Sequence, residues 1–304
     1  MAAQTFRDFE LLIVDSTPEA EASGHYDRAR ATVAASPIAA HYIRSTLRLG
    51  PHDARNVGAR HARGELLVFT DPDIYPDAGW LAALVLAHDR TRGVIFGAIA
   101  CHGRRWFDIG VHLCKFAICL PERDARPVHY GWSGNVLCAR SAFDAVGAFP
   151  RNPWHGDTVL SVRLQAAGVT LLFEPAAIVR HDHEGVQLGP FLRERFERGR
   201  ELAAITADGS LTGVPWTRRE RLRRVVTSMF WPLKVARACV VVGRGAWRAG
   251  LVRDFVRTFP VVAAGQSAWV LGASFTYVVD GTLSMLQRKR TGRRTCGAAR
   301  RAGR

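Results

Sequence analysis

Short apolar runs alternate with stretches of helical spacing through the first 185 residues of this chain. Phe9–Val14 (FELLIV) and Leu66–Phe69 (LLVF) are continuous apolar runs of strand length and read as strands buried on both faces. Ala39–Arg44 and Gly93–Ala100 read as further strands, and residues 18–37 as the setting of a short helix. Gly50–Gly64 has helix spacing at Ala54, Val57 and Ala62 with a glycine stop, and Leu81–Ala87 reads as a helix. From Arg104 to Val128 the period blurs, and Trp106, Phe107 and Phe116 suggest a loop or helix that covers something. Tyr130–Phe149 reads as a glycine-rich lead, a short strand and a helix. Thr158–Ala167 reads as a helix closed by Gly168, and Val169–Phe173 as a strand; Ile178-Val179 leads into Arg180, His181, Asp182 and His183. This alternation predicts an α/β sheet domain over residues 1–185.

The pattern changes after that. Phe191–Ile205 reads as an arginine-rich helix, and Val225–Gly243 is apolar but carries Lys234 and Arg237. Phe259–Val279 is 21 residues without a charge, between Arg257 and Asp280. That length spans a bilayer, lies in its plane or packs as a buried helix. Residues 186–286 are therefore expected to be a helical, membrane-associating region, and residues 287–304 a basic, disordered tail.

Composition sharpens the choice of partners. The chain has 304 residues and a formal net charge of +15, which favours phosphates, nucleic acid or anionic lipid. No nucleic-acid-binding module is recognisable, and the surplus arginines accompany the apolar C-terminal region, which favours an anionic membrane surface. The six cysteines show no CxxC pair, so they read as reduced thiols in a cytosolic setting, neither a zinc site nor a disulfide framework. The expected location is the cytoplasmic face of the cell membrane.

The candidate chemistry lies at the ends of strands. Asp71 and Asp73 follow the Leu66–Phe69 run directly, in Thr70-Asp71-Pro72-Asp73. Carboxyl ends of strands are where open α/β sheets bind ligands. Residues two apart in an extended segment point the same way, so both carboxylates can face one site. Paired hard oxygens suit Mg²⁺ or Mn²⁺ shared with substrate phosphates; Asp-Pro-Asp is also good turn chemistry. Asp15 likewise ends the first apolar run.

Five motifs in order resemble the family-2 glycosyltransferases of GT-A fold: LLIVDST (Leu11–Thr17), ARNVGARHARGELLVFTDPD (Ala54–Asp73), GNVLCARSAFDAVGAF (Gly134–Phe149), GDTVLSVRLQAAG (Gly156–Gly168) and the late His181. The resemblance implies a GT-A-type mixed sheet flanked by helices. It also implies transfer of a sugar from a nucleotide-sugar to an acceptor hydroxyl, with inversion, here on a lipid-linked or envelope-glycan acceptor. It assigns Asp15 to the nucleotide base, Arg55 and Asn56 to the nucleotide, Asp71 to the ribose or the metal, Asp73 to the metal, and His181 to the metal or diphosphate. Asp157 becomes the general base, with capping of its helix as its other reading. Trp132, Gly134, Asn135 and Trp154 are placed near sugar or acceptor, with core packing as the alternative for the two tryptophans. Two departures stand out: residue 156 is Gly where the family has Glu, and only ten residues precede Leu11, so the usual first strand and helix are expected to be missing. A catalytically degenerate membrane scaffold is the alternative function.

Overall fold

The structure is a computed structural model that describes residues 1–18, 24–150 and 154–299, with side chains described up to residue 279. Its elements run β1 (Leu11–Asp15), α1 (His25–Ala34), β2 (Ala40–Arg44), α2 (Pro51–His61), β3 (Leu66–Thr70), β4 (Ile74–Pro76), α3 (Trp80–Thr91), β5 (Val94–Cys101), α4 (Trp106–Phe116), β6 (Arg126–Pro127), β7 (Asn135–Ala139), α5 (Arg140–Ala145), α6 (Gly156–Ala166), β8 (Leu171–His181), α7 (Leu188–Ala207), α8 (Arg218–Ser228), α9 (Trp231–Arg248) and α10 (Val252–Ala299).

The main sheet has the order β3-β7-β5-β8-β4, with β6 beside β8. It is mixed: β5 runs parallel to β8 and antiparallel to β7, and β3 is antiparallel to β7. β5 lies at the centre, and its first six residues are all buried, as a strand flanked on both sides and covered on both faces requires. Its alternation divides the core. Val94 and Phe96 join Phe69, Phe143, Phe149, Leu160 and Leu164 on one face, whereas Ile95 and Ile99 join Trp80, Leu84, Leu137, Phe173 and Val179 on the other. Between Gly97 and Ala98 the register shifts, and β8 carries three extra residues, Pro175, Ala176 and Ala177, opposite that step. The two apolar pieces read from sequence before His181 are one long strand, β8, spanning that irregularity.

β1 and β2 form a separate two-stranded parallel sheet, with Asp15 opposite Arg44. None of its residues is fully buried. The segment whose period blurred is α4, and it is buried nearly all round, from Asp108 through Gly110–Cys114 to Phe116. Two of its polar residues, Asp108 and His112, are buried with the apolar ones, so polarity along α4 does not track exposure, which is why the sequence pattern hid it.

The chain divides into two compact units, Met1–Gly185 with Val241–Phe259, and Val186–Val240 with Pro260–Arg304. The stretch Val241–Phe259 thus folds with the first unit. In the second, α7 and α10 pack with glycines at the contact: a Cβ at Gly272 would overlap the Phe196 carbonyl. The backbone of α10 continues through residues 287–299, and residues 300–304 of the expected basic tail lie outside the described residues.

Candidate active site

The sheet brings Asp73 and His181 together. Asp73 immediately precedes β4, and the antiparallel register sets Ile74 opposite His181 on β8. The Asp182 N–H donates to the Asp73 carbonyl at 3.0 Å, and Asp73 Oδ2 lies 3.4 Å from His181 Nε2. Two cis ligands on one octahedral ion at 2.0–2.2 Å stand about 3 Å apart, so this pair suits a divalent cation. Asp73 is half-exposed and His181 is buried, with its Nδ1 lacking a hydrogen-bond partner. Burial lowers the His181 pKa, against the pull of Asp73, so the ring tends to be neutral and able to ligate.

Asp71 is held differently. Arg55, from α2, forms an ion pair with its Oδ1. Burial raises the Asp71 pKa; Arg55 opposes the rise and Asp73 adds to it. Arg55 also donates to His52 Nδ1 at 3.2 Å, while its Nε is buried without a partner. Gly134 makes room for this arrangement, since a Cβ there would sit 2.5 Å from the Trp132 ring and 2.7 Å from Asp71 Oδ2. Trp132 is half-buried, its ring centroid 4.9 Å from that of Phe116 and 5.4 Å from that of His181.

Asn135 and Asn56 are committed to the scaffold. Asn135 is 1% exposed. Its Oδ1 accepts from Trp80 Nε1 at 2.8 Å, and its Nδ2 donates to the carbonyls of Ala98 and Ala177. It locks β7 to β5, β8 and α3 directly behind Gly134. Asn56 donates to the Phe149 carbonyl at 2.8 Å and accepts from the Phe149 N–H at 3.1 Å, tying α2 to the turn after α5.

Asp157 is the second residue of α6, and the N-cap position is His155, without a side-chain cap. Asp157 Oδ1 accepts from the Thr158 N–H at 2.7 Å, which leaves Oδ2 with no protein hydrogen bond among those of the described residues. The glycine before it has a steric reason: a Cβ at Gly156 would overlap the His52 ring. Gly156, His52, Arg55 and Asp71 are thus consecutive in contact, and the departure from the family's Glu follows from the His52 ring that occupies that space. Trp154 is half-buried just ahead of α6.

Asp15 stands on the smaller sheet. Its carboxylate accepts from the Thr17 N–H at 2.9 Å, from Tyr42 Oη at 2.7 Å and from His25 Nε2 at 2.8 Å. Burial would raise its pKa, but these hydrogen bonds outweigh burial and hold it down at about 2. Beside it lies an open pocket of about 460 Å³ lined by Tyr26, Asp27, Arg30, Tyr42 and Arg44. The Arg44 guanidinium sits 3.8 Å over the Tyr26 ring. Sequence reasoning did not single out His52 or Tyr42. His52 lies on the helix of the Ala-Arg-Asn motif, and Tyr42 aligns with Ile13 one strand away from Asp15.

Comparison with known proteins agrees with the motifs. Residues 1–147 match the model for Glycosyl transferase family 2. The chain is 28% identical over 238 residues to the pre-mycofactocin glycosyltransferase of Mycobacterium tuberculosis, in strains CDC 1551 and H37Rv alike. That match covers 66% of this chain and 50% of the relative, so the chain spans about half the length of the curated relatives it matches. Among solved structures, the mannosyltransferase PcManGT of Pyrobaculum calidifontis, in complex with GDP-Man and Mn²⁺, superposes with a TM-score of 0.55 at 20% identity. It covers 91% of this chain and 81% of that one, and shares its fold.

Proposed function

We propose that this chain, whose residues 1–147 match the model for Glycosyl transferase family 2, is a metal-dependent glycosyltransferase that moves a sugar from a nucleotide-sugar to an acceptor hydroxyl. The observation that carries the reading is the Asp73–His181 pair at 3.4 Å, set at adjoining strand ends with Asp71 held beside it by Arg55. Asp73 and His181 would hold Mg²⁺ or Mn²⁺, which supplies charge neutralisation for the departing diphosphate. Arg55 holds Asp71 in place beside that pair through its ion pair. The pocket beside Asp15 offers tyrosine faces and arginines to the nucleoside. Asp157 accepts the proton of the acceptor hydroxyl as its oxygen bonds to the anomeric carbon and the bond from that carbon to the diphosphate breaks, giving inversion. Trp132, beside His181, and Trp154, just ahead of α6, would offer aromatic faces to a sugar ring.

The acceptor is read as lipid-linked or an envelope glycan, and the site of action as the cytoplasmic face of the membrane. Among the described residues, Val252–Val279 is one helical stretch long and apolar enough to cross a bilayer, with 44% of its apolar window buried inside the protein. Around the start of α9, Met229, Phe230 and Leu233 are exposed among Arg223, Lys234 and Arg237, a composition suited to anionic headgroups.

Calorimetric titration with UDP, GDP and dTDP, with and without Mn²⁺, tests the reading. Mn²⁺-dependent binding of one nucleotide, lost in Asp73→Ala, supports it and names the donor class. Binding of none by the folded protein overturns it in favour of a degenerate scaffold.

A further inference from the structure

We propose that Cys101, His112 and His183 form a second metal site, for zinc, separate from the Asp73–His181 pair. The three side chains come from the end of β5, from the middle of α4 and from the segment after β8. Each offers one ligand atom, and these atoms all lie within 4.8 Å of one another; it is the one such trio among the described residues.

The geometry suits one tetrahedral ion. His112 Nδ1 and His183 Nε2 are 3.1 Å apart. Two nitrogens bound to one tetrahedral zinc at 2.0–2.1 Å stand about 3.3 Å apart. His112 Nε2 lies 3.1 Å from the Ile99 carbonyl. A carbonyl only accepts, so Nε2 carries the hydrogen, and Nδ1 turns its lone pair toward His183 and Cys101. A backbone carbonyl holding the far nitrogen is how proteins orient a ligating histidine. Both rings are 1% exposed, and His183 Nδ1 has no hydrogen-bond partner. His183 is therefore a buried ring with a single hydrogen bond, an under-used polar group of the kind that costs stability.

Asp108, Asp182 and Asp254 place negative charge near the Cys101 sulfur, and Lys115 places positive charge near the two histidines. Asp108 lies one turn before His112 on α4, is 3% exposed, and keeps Oδ1 without a partner. One thiolate with two imidazoles selects zinc over Mg²⁺ or Mn²⁺. Binding releases the Cys101 thiol proton to solvent, since the ligand is the thiolate. Cys101 is only partly buried, which leaves the fourth position on that side to water.

The site has a consequence for its neighbour. The His183 ring stacks on that of His181, with centroids 4.5 Å apart and planes at 23°. An ion that fixes His183 thus also fixes the face of His181 that turns to Asp73. This link rests on the function proposed above; the zinc site does not.

The test is cobalt substitution on the full chain, stripped with a chelator. One Co²⁺ per chain should bind with the visible bands of a tetrahedral centre and a thiolate-to-cobalt charge-transfer band, and Zn²⁺ should displace it. Cys101→Ser should lose the charge-transfer band, and Asp73→Ala should keep it. In parallel, X-ray absorption on the zinc-loaded wild type should show one sulfur near 2.3 Å and two imidazoles. That measurement holds even where a variant fails to fold. No stoichiometric charge-transfer band in the wild type, or a band that persists in Cys101→Ser, overturns the site. A cobalt band in a chain that binds no nucleotide would leave the zinc site standing and remove the glycosyltransferase reading.

Discussion

The two sheets of the first unit hold their candidate residues in opposite ways. At the Asp71–Asp73 end of the main sheet, every supporting group is buried or paired: Asn135 makes three hydrogen bonds, Arg55 grips Asp71, and glycines at 134 and 156 let the rings of Trp132 and His52 come close. On the β1–β2 ribbon no residue is fully buried, and Asp15 is held mainly by hydrogen bonds from short-range neighbours and Tyr42. The metal end is rigid by packing and the nucleoside end is set by polar contacts. Substitutions behind the first should therefore cost stability of the whole fold, and those on the second should cost ligand affinity.

The largest effect is expected where the chemistry is. Asp157→Asn should lower kcat by ~10²–10⁴-fold while leaving Mn²⁺-dependent nucleotide binding intact, read by comparing turnover with calorimetry. A parallel loss of nucleotide binding would place Asp157 with the scaffold instead. Next is Asn135→Ala, which strands Trp80 Nε1 and two carbonyls; each unpaired buried group costs about 1–3 kcal/mol, so the denaturant midpoint should fall clearly. Tyr42→Phe removes one hydrogen bond to a carboxylate, worth about 1.5–3 kcal/mol at most, and should weaken nucleotide binding more than it shifts the melt. An unfolding loss as large as that of Asn135→Ala would erase the contrast between the sheets.

The smallest effect concerns pH. The folded pKa of Asp15 lies at about 2, below its unfolded value near ~3.9. Its stabilisation is therefore fully present above about pH 4 and is lost as pH falls through about 2. The difference in Tm between wild type and Asp15→Asn should shrink as pH falls below about 4.

The legible parts of the sequence were those with a local signal. Leu66–Phe69 is apolar because β3 is a strand in a covered sheet, and Asp71 and Asp73 follow it because strand ends open outward. Asp73 and His181 were both named from motifs, yet their approach depends on the β4–β8 register, and β4 is three residues with no pattern of its own. Asn56 and Asn135 carried motif positions, but only packing shows that their amides are spent on the backbone of Phe149, Ala98 and Ala177. The Cys101–His112–His183 cluster was invisible for a further reason. Its members are 11 and 71 residues apart in sequence, and α4 hid among buried apolar neighbours; the spacing His181-Asp182-His183 was the one hint available.

The place of β5 also sets a schedule for the growing chain. Both strands that flank it, β7 and β8, are made after it, and no earlier strand lies beside it. At ~5–20 residues per second on the ribosome, the about 80 residues from Cys101 to His181 take roughly 4–16 s. Until β7 is made, the strand VIFGAIAC has two unpaired edges, and from then until β8 is complete it keeps one. The first stretch of this protein to call on a chaperone is then its own centre, and a brake on translation between β5 and β8 would prolong the period in which β5 can pair with a strand of another chain.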